Sequence, residues 1–136
     1  MRIRIENTPP TISEFIELRS LVGWGETAPE LAKLALKNSL YHVVAYDDEK
    51  LIGMARIVGD GAMFFYIQDV IVDPSYQKMG IGHLLMNSLE SYLSTVAVKG
   101  ATIGLLSAKG KESFYSRYGY TERTGEPLGL GMCKFI

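Results

Sequence analysis

Gln68-Asp69-Val70-Ile71-Val72-Asp73-Pro74-Ser75-Tyr76-Gln77-Lys78-Met79-Gly80-Ile81-Gly82 is the stretch whose reading decides the fold. The chain from Met63 to Val72 is almost unbroken in apolar and aromatic residues, as in a strand buried on both faces. Asp73-Pro74 ends that strand, because proline lacks an N–H and biases its predecessor away from helix. From Ile81 the apolar residues recur at Leu84, Leu85, Leu89, Tyr92, Leu93 and Val96, with polar residues mostly between them. This spacing predicts a helix with one buried face. Residues Gln77 to Gly82 are therefore the entrance to a helix placed directly after a central strand.

A helix entrance presents unpaired N–H groups and the positive end of the helix dipole, which suits phosphate. Gly80 and Gly82 remove side chains that would hold a diphosphate away from this backbone, although glycines also serve plain turns. Taken alone, Gly-x-Gly is a weak signal. Here the six residues Gln77, Lys78, Met79, Gly80, Ile81 and Gly82 fit Gln/Arg-x-x-Gly-x-Gly/Ala between an apolar strand and an amphipathic helix. On these residues the chain resembles the GNAT superfamily of acyl-CoA-dependent N-acyltransferases, whose motif A has this pattern, and it is similar to the small single-domain bacterial members. The resemblance runs from about Arg2 to the C-terminus and is most specific from Val43 to Tyr120.

The bulk numbers narrow the function classes. With 136 residues the chain reads as one domain spanning 1–136, and 47% hydrophobic with 21% charged residues is a globular composition. A net charge of −1 gives no basic field for nucleic acid or an anionic membrane. Cys133 is the only cysteine and there are two histidines, so neither an internal disulfide nor a metal site is expected. No signal peptide or membrane span is visible, which makes a cytoplasmic protein the expectation.

Along the chain, Arg2 to Glu6 alternates as a half-exposed strand. Thr11-Ile12-Ser13-Glu14 is a capping box opening a helix whose face holds Ile12, Phe15, Ile16 and Arg19. Thr27-Ala28-Pro29-Glu30 reads as a second capping box, starting a short helix through Leu31, Leu34, Ala35 and Asn38. Tyr41 to Tyr46 and Leu51 to Val58 form a hairpin around Asp47-Asp48-Glu49-Lys50, and Gly59-Asp60-Gly61 turns into the central strand. Thr102 to Leu106 is a short strand, and Gly110 to Tyr118 a short helix closed by Gly119. Strands are expected from Tyr120-Thr121 and over Leu130 to Ile136. The order β-α-α-β-β-β-α-β-α-β-β is a mixed α/β domain. The resemblance implies the GNAT fold, a splayed and mostly antiparallel sheet flanked by helices, whose central strand carries a bulge.

That resemblance also implies the site. Acetyl-CoA is the co-substrate, its diphosphate held by Gln77 to Gly82 and its pantetheine pairing with backbone near Val70, Ile71 and Val72. Amine acetylation needs a neutral amine, donors for the oxyanion and a proton for the departing thiolate. Ser113-Phe114-Tyr115-Ser116-Arg117-Tyr118-Gly119-Tyr120 is similar to the family's Phe-Tyr-x-x-x-Gly-Phe/Tyr signature, which makes Tyr115 the general acid. Phe114 and Tyr118 then pack. Where some branches place a glutamate base, this chain has Tyr66, so proton removal through ordered water is the preferred reading. Asp69 is the acid inside the strand, with Ile67 and Ile71 on its face and Gln68, Val70 and Val72 on the other. It is either a hydrogen-bonded structural acid or a base.

The acceptor site is expected around Trp24, Gln68 and Arg56. Trp24, flanked by glycines, is a pocket wall or a core residue. Gln68 can orient an amine or a water, and Arg56 forms an ordinary salt bridge or holds an acceptor carboxylate. His42 and His83 read as surface or satisfied groups. The resulting function is acetyl transfer from acetyl-CoA to the primary amine of a small molecule: an amino acid, polyamine, amino sugar or arylalkylamine. No broad acidic groove is visible in the sequence to draw a basic protein tail. The alternatives are a protein Nα- or lysine acetyltransferase and a non-catalytic acyl-CoA sensor. The last strand offers an edge for a homodimer.

Overall fold

A computed structural model describes all of residues 1–136. Two compact units divide the chain, Met1–Leu105 and Leu106–Ile136, and each is described by itself.

The first unit holds a five-stranded sheet in the order β1-β2-β3-β4-β5. The strands are β1 (Ile3–Glu6), β2 (Tyr41–Asp47), β3 (Lys50–Gly59), β4 (Phe64–Val72) and β5 (Thr102–Leu105). β1 to β4 pair antiparallel in sequence order; short turns join β2 to β3 and β3 to β4, while residues 7–40 lie between β1 and β2. The β4–β5 pair is parallel, and a parallel pair needs a crossover. Helix α3 (Ile81–Val96) is that crossover. Thus the architecture is the expected mixed α/β one, a mostly antiparallel sheet flanked by helices.

Side chains alternate across the sheet, so neighbouring β3 residues show which helix covers which face. Met54 belongs to a cluster with Val44, Ile71 and residues of helices α1 (Ile12–Leu21) and α2 (Pro29–Lys37), namely Phe15, Leu18, Ala32 and Leu36. A Cβ on Gly53, one residue earlier, would lie 3.3 Å from Leu85 Cδ1 and 3.4 Å from Ile81 Cγ2, both on α3. Hence α1 and α2 cover one face and α3 the other. Ile81, Leu85, Met86, Leu89 and Leu93 are the buried stripe of α3. Each such side chain contributes about 1.5–3 kcal/mol by leaving water.

The first capping box forms as read. Glu14 N–H donates to Thr11 Oγ1 at 3.1 Å, and Thr11 N–H donates to Glu14 Oε1 at 2.8 Å. The second does not form. Ala28 is the N-cap and makes no side-chain bond, because Pro29 takes the first helical position and sets the entry geometry itself. In α2, Ala32 and Leu36 are buried, whereas Leu31 and Leu34 are exposed. At the Gly59-Asp60-Gly61 turn, Asp60 Oδ1 accepts from the N–H groups of Ala62, Met63 and Phe64.

The second unit contains the short helix α4 (Glu112–Ser116). Residues 120–121 and 130–136, expected as strands, carry no regular secondary structure, and Leu130, Met132, Phe135 and Ile136 are exposed. Glycines at 125, 129 and 131 interrupt the apolar spacing on which that expectation rests. No helix of the chain is long and apolar enough to cross a membrane.

Candidate active site

The centre of β4 is irregular. Met54 and Arg56 of β3, two residues apart, face Ile71 and Gln68 of β4, three residues apart. The extra residue is a β-bulge at Asp69-Val70, and Asp69 has φ +57°, in the left-handed region that aspartate enters more readily than most residues. A bulge resets the alternation of every side chain beyond it. Gln68 and Ile71 therefore share the α1/α2 face with Asp69, while Ile67 and Val72 share the α3 face. This corrects the strict alternation expected from the sequence.

Beyond the bulge, β4 has a partner on one edge only. Its ladder with β5 runs from Phe64↔Thr102 to Ile67↔Leu105 and stops, while β4 continues to Val72 along β3. The β5-side edge of Gln68–Val72 thus lacks a strand. Asp73 N–H reaches Ile52 C=O at 2.7 Å, so ladder alternation turns the N–H and C=O of Val72 toward that open edge. Gln77 Nε2 donates to this Val72 carbonyl at 3.1 Å, fixing the start of the loop to the end of the strand.

Between Val72 and α3, Asp73 caps a 3-10 turn (Pro74–Tyr76), its Oδ1 accepting from Ser75 N–H at 2.8 Å. Lys50 Nζ stands 3.6 Å from the same carboxylate. Lys78 and Gly80 then adopt φ +65° and +82°, and Gly80 is the N-cap of α3 without any side-chain cap. The first bond of the helix is Leu84 N–H to Gly80 C=O at 3.2 Å, so the N–H groups of Ile81 and Gly82 precede the helical ladder. No acidic residue occupies the first turn of α3. A Cβ at Gly80 would meet nothing within 4 Å, so no neighbour crowds this cap. Lys78 and Met79 are exposed beside it, whereas the Ile81 side chain is buried in the core, leaving only its backbone for ligand contact. Open donors, an absent acid and a nearby ammonium fit a diphosphate.

On the α1/α2 face, Asp69 is a buried hub, 1% exposed. Its Oδ1 accepts from Arg19 Nη1 and, at 3.0 Å, from Gln68 Nε2; its Oδ2 accepts from Arg56 Nε at 2.7 Å. Arg56 Nη1 also donates to Ser39 Oγ at 3.1 Å. Of the two readings for Arg56, the salt bridge forms, and Asp69 is its partner. Both Asp69 oxygens are committed, which favours a structural acid over a base. Arg19 lies over the Phe15 ring at 5.6 Å and the Trp24 ring at 5.4 Å, and Trp24 is 39% exposed. Trp24, Gln68 and Arg56 are thereby brought to one cluster, and Trp24 is exposed rather than core. Arg19 is the member that sequence reasoning missed. Its signal was available: an arginine four residues after Phe15 on a buried helical stripe requires a carboxylate partner.

His42, opposite Arg56 in the β2–β3 ladder, bonds Leu36 C=O through Nε2 at 2.9 Å. Burial lowers its pKa and the neighbouring Arg56 adds to this, whereas the Leu36 bond opposes it. Tyr66 occupies the register position opposite Val58 and Gly104.

A second feature of this unit runs against the sequence reading. A groove along α1, the α1–α2 linker and the β2–β3 turn is lined by Glu14, Glu17, Glu26, Glu49 and Asp73, with Lys50 as its cation. These acids lie far apart in the chain, so only the fold gathers them.

In the second unit, Tyr115 sits on α4 with Phe114 against it edge to face at 5.1 Å, and Phe114 meets Tyr118 similarly at 5.9 Å. Burial raises the Tyr115 pKa above 10.0, keeping the phenol protonated at neutral pH.

Residues 24–132 match the family described as acetyltransferase (GNAT) domain. An uncharacterized ycf52-like N-acetyltransferase of Prochlorococcus marinus is 34% identical over 129 residues, covering 90% of this chain and 68% of that protein. The ycf52 N-acetyltransferase of Pyropia yezoensis is 31% identical over 111 residues, covering 79% of this chain but 63% of its own length. The chain thus spans about two thirds of the length of these curated relatives. Among solved structures, a probable acetyltransferase of unknown function from meticillin-resistant Staphylococcus aureus superposes with a TM-score of 0.89 at 30% identity, covering 98% of this chain and all of that one. A five-stranded sheet with a bulged, half-open β4 feeding a glycine-opened helix is the mixed α/β fold that the chain shares with that structure. The chain belongs to the GNAT acetyltransferase family.

Proposed function

We propose that the protein transfers the acetyl group of acetyl-CoA directly to the primary amine of a small molecule. The observation that carries this reading is the unpartnered edge of β4 over Gln68–Val72, set immediately before the open N-terminus of α3. A strand edge receives the amides of pantetheine as it would another strand, and the helix entrance receives the diphosphate. Val70, Ile71 and Val72 supply the backbone edge; Gln77 through Gly82 supply the anion site. Acetyl-CoA brings an acyl carbon activated as a thioester.

The neutral amine attacks the thioester carbon; a C–N bond forms, the C–S bond breaks, and its electron pair leaves with sulfur. A general acid, the role the family resemblance assigns to Tyr115, gives that thiolate a proton and regains one from solvent, while the amine proton departs through water. The raised Tyr115 pKa supports this role by keeping the acid loaded. Release of CoA thiol from acetyl-CoA, measured across amines, amino acids and peptides, tests the reading. Turnover with a small amine supports it; binding of acetyl-CoA without turnover supports a sensor instead.

A second reading, acetylation of a cationic protein tail, is favoured by the acidic groove beside α1. Faster thiol release with lysine-rich peptides than with any small amine would favour it.

A further inference from the structure

We infer that the acceptor amine carries a carboxylate and that Arg19, backed by Arg56, receives it. This rests on the transferase reading above and names its substrate class.

The cluster on the α1/α2 face has unequal charge. Two guanidiniums, Arg19 and Arg56, share the single carboxylate of Asp69. No second carboxylate pairs with either arginine, whose side chains are 21% and 14% exposed, leaving one unit of positive charge largely withdrawn from water. His42 beside Arg56 adds nothing to the sum, since burial holds its imidazole neutral at pH 7. A buried cation without a counter-charge is costly, so a site built this way is completed by an anion. Arg19 Nε is buried and meets no hydrogen-bond partner, a donor left over on the same guanidinium. Arg56 spends its Nε and Nη1 within the fold, so Arg19 carries the surplus.

Position supports a substrate rather than a structural ion. Arg19 lies between the buried Asp69 and the half-exposed Trp24 ring, so one side of the guanidinium meets a wall that solvent reaches. Asp69 itself is the bulge residue within Gln68–Val72, the segment whose free edge is assigned to acetyl-CoA. The anion site and the acyl-donor site therefore share one bulge. A planar guanidinium fork matches a carboxylate, and a surplus of one charge balances a monoanion rather than a dianionic phosphate. Amino acids fit this description. Polyamines do not, because the cluster repels a second cation.

The experiment compares matched acceptors, each amino acid against the amine left by its decarboxylation, with an amino sugar phosphate and spermidine alongside. Thiol release gives kcat and KM, and a thermal-shift assay with the same compounds reads binding without turnover. The wild type is expected to favour the carboxylate member by at least ~10-fold in kcat/KM, mostly through KM, the tenfold step that one modest charge-assisted contact supplies. Arg19→Gln, which balances the cluster, should collapse that ratio while KM for acetyl-CoA holds; Arg19→Lys should recover part of it. Preference for the decarboxylated amine, for spermidine or for the sugar phosphate overturns the inference, as does a ratio unchanged in Arg19→Gln. The wild-type ratio stands as a test even if the variants fold poorly. Arg19-dependent stabilisation by amino acids with no turnover on any amine would support the carboxylate site and overturn the transferase reading instead.

Discussion

Arg56 Nε donates to Asp69 Oδ2 at 2.7 Å, tying the third strand of the sheet to the bulge of the fourth. The same carboxylate takes Arg19 from α1, so a helix and two strands converge on one buried group. Removing one member of a buried ionic cluster leaves the others uncompensated, at a cost of about 3–5 kcal/mol. Arg19 retains some solvent exposure, which places the effect near the lower figure. Asp69→Asn keeps the shape and tolerates the positive φ, isolating the charge. Urea unfolding should show a loss of ~3 kcal/mol. A midpoint equal to wild type would mean the arginines are satisfied by solvent.

Gly80 caps α3 at φ +82° over open space. A Cβ there meets nothing within 4 Å, and the left-handed backbone costs a leucine about 1–2 kcal/mol. Its side chain stands where a diphosphate would approach the helix N–H groups. KM for acetyl-CoA should rise ~10-fold or more, worth ~1.4 kcal/mol. Unchanged acetyl-CoA affinity by calorimetry would remove the phosphate site from Gln77–Gly82.

Tyr115→Phe deletes one hydroxyl and keeps the ring that packs on Phe114. If the phenol is the general acid, kcat should fall by ~10²-fold or more at unchanged stability. Burial raises the Tyr115 pKa above its ordinary 10.0, so the wild-type kcat should persist through pH 10 before declining. A decline beginning well below that, or a near-normal kcat in Tyr115→Phe, would assign the proton to another group.

His42 offers a pH dependence of stability. Its Nε2–H serves Leu36 C=O, and Nδ1 is buried without a partner, so a second proton would have no acceptor. The folded-state pKa therefore lies below the ordinary 6.5. A depressed histidine contributes stability fully above 6.5, and that contribution is lost as pH falls toward the folded value. Between pH 7 and 5, the stability difference between wild type and His42→Asn should shrink. A difference constant across this range would contradict the assignment.

The parts legible in the sequence were those with a period or a motif. The apolar run to Val72, the helical spacing from Ile81 and Gly80 at its start all lie in the structure where the pattern put them. Local chemistry without a period was harder to read. The bulge at Asp69 is a backbone conformation that several residues adopt, and nothing in Gln68-Asp69-Val70 announces it. The family resemblance implies a bulged central strand without giving its place; strict alternation puts Asp69 opposite Gln68, whereas the two side chains share a hydrogen bond. In α2 the spacing through Leu31, Leu34, Ala35 and Asn38 marks a helix without marking its inner face, and the residues that join Met54 and Ile71 in the core are Ala32 and Leu36. The acids of the groove at α1 are separated by up to 59 residues between Glu14 and Asp73, a distance that only the fold closes.

The most direct test of acetyl transfer is a single incubation of the protein with a limiting amount of acetyl-CoA and its preferred amine. Mass spectrometry then follows free CoA, the acceptor and the intact protein together. The account predicts N-acetylated acceptor and CoA in equal amounts, with the protein mass unchanged throughout. CoA released without acetylated amine, or an acetyl group retained on the protein, would contradict it.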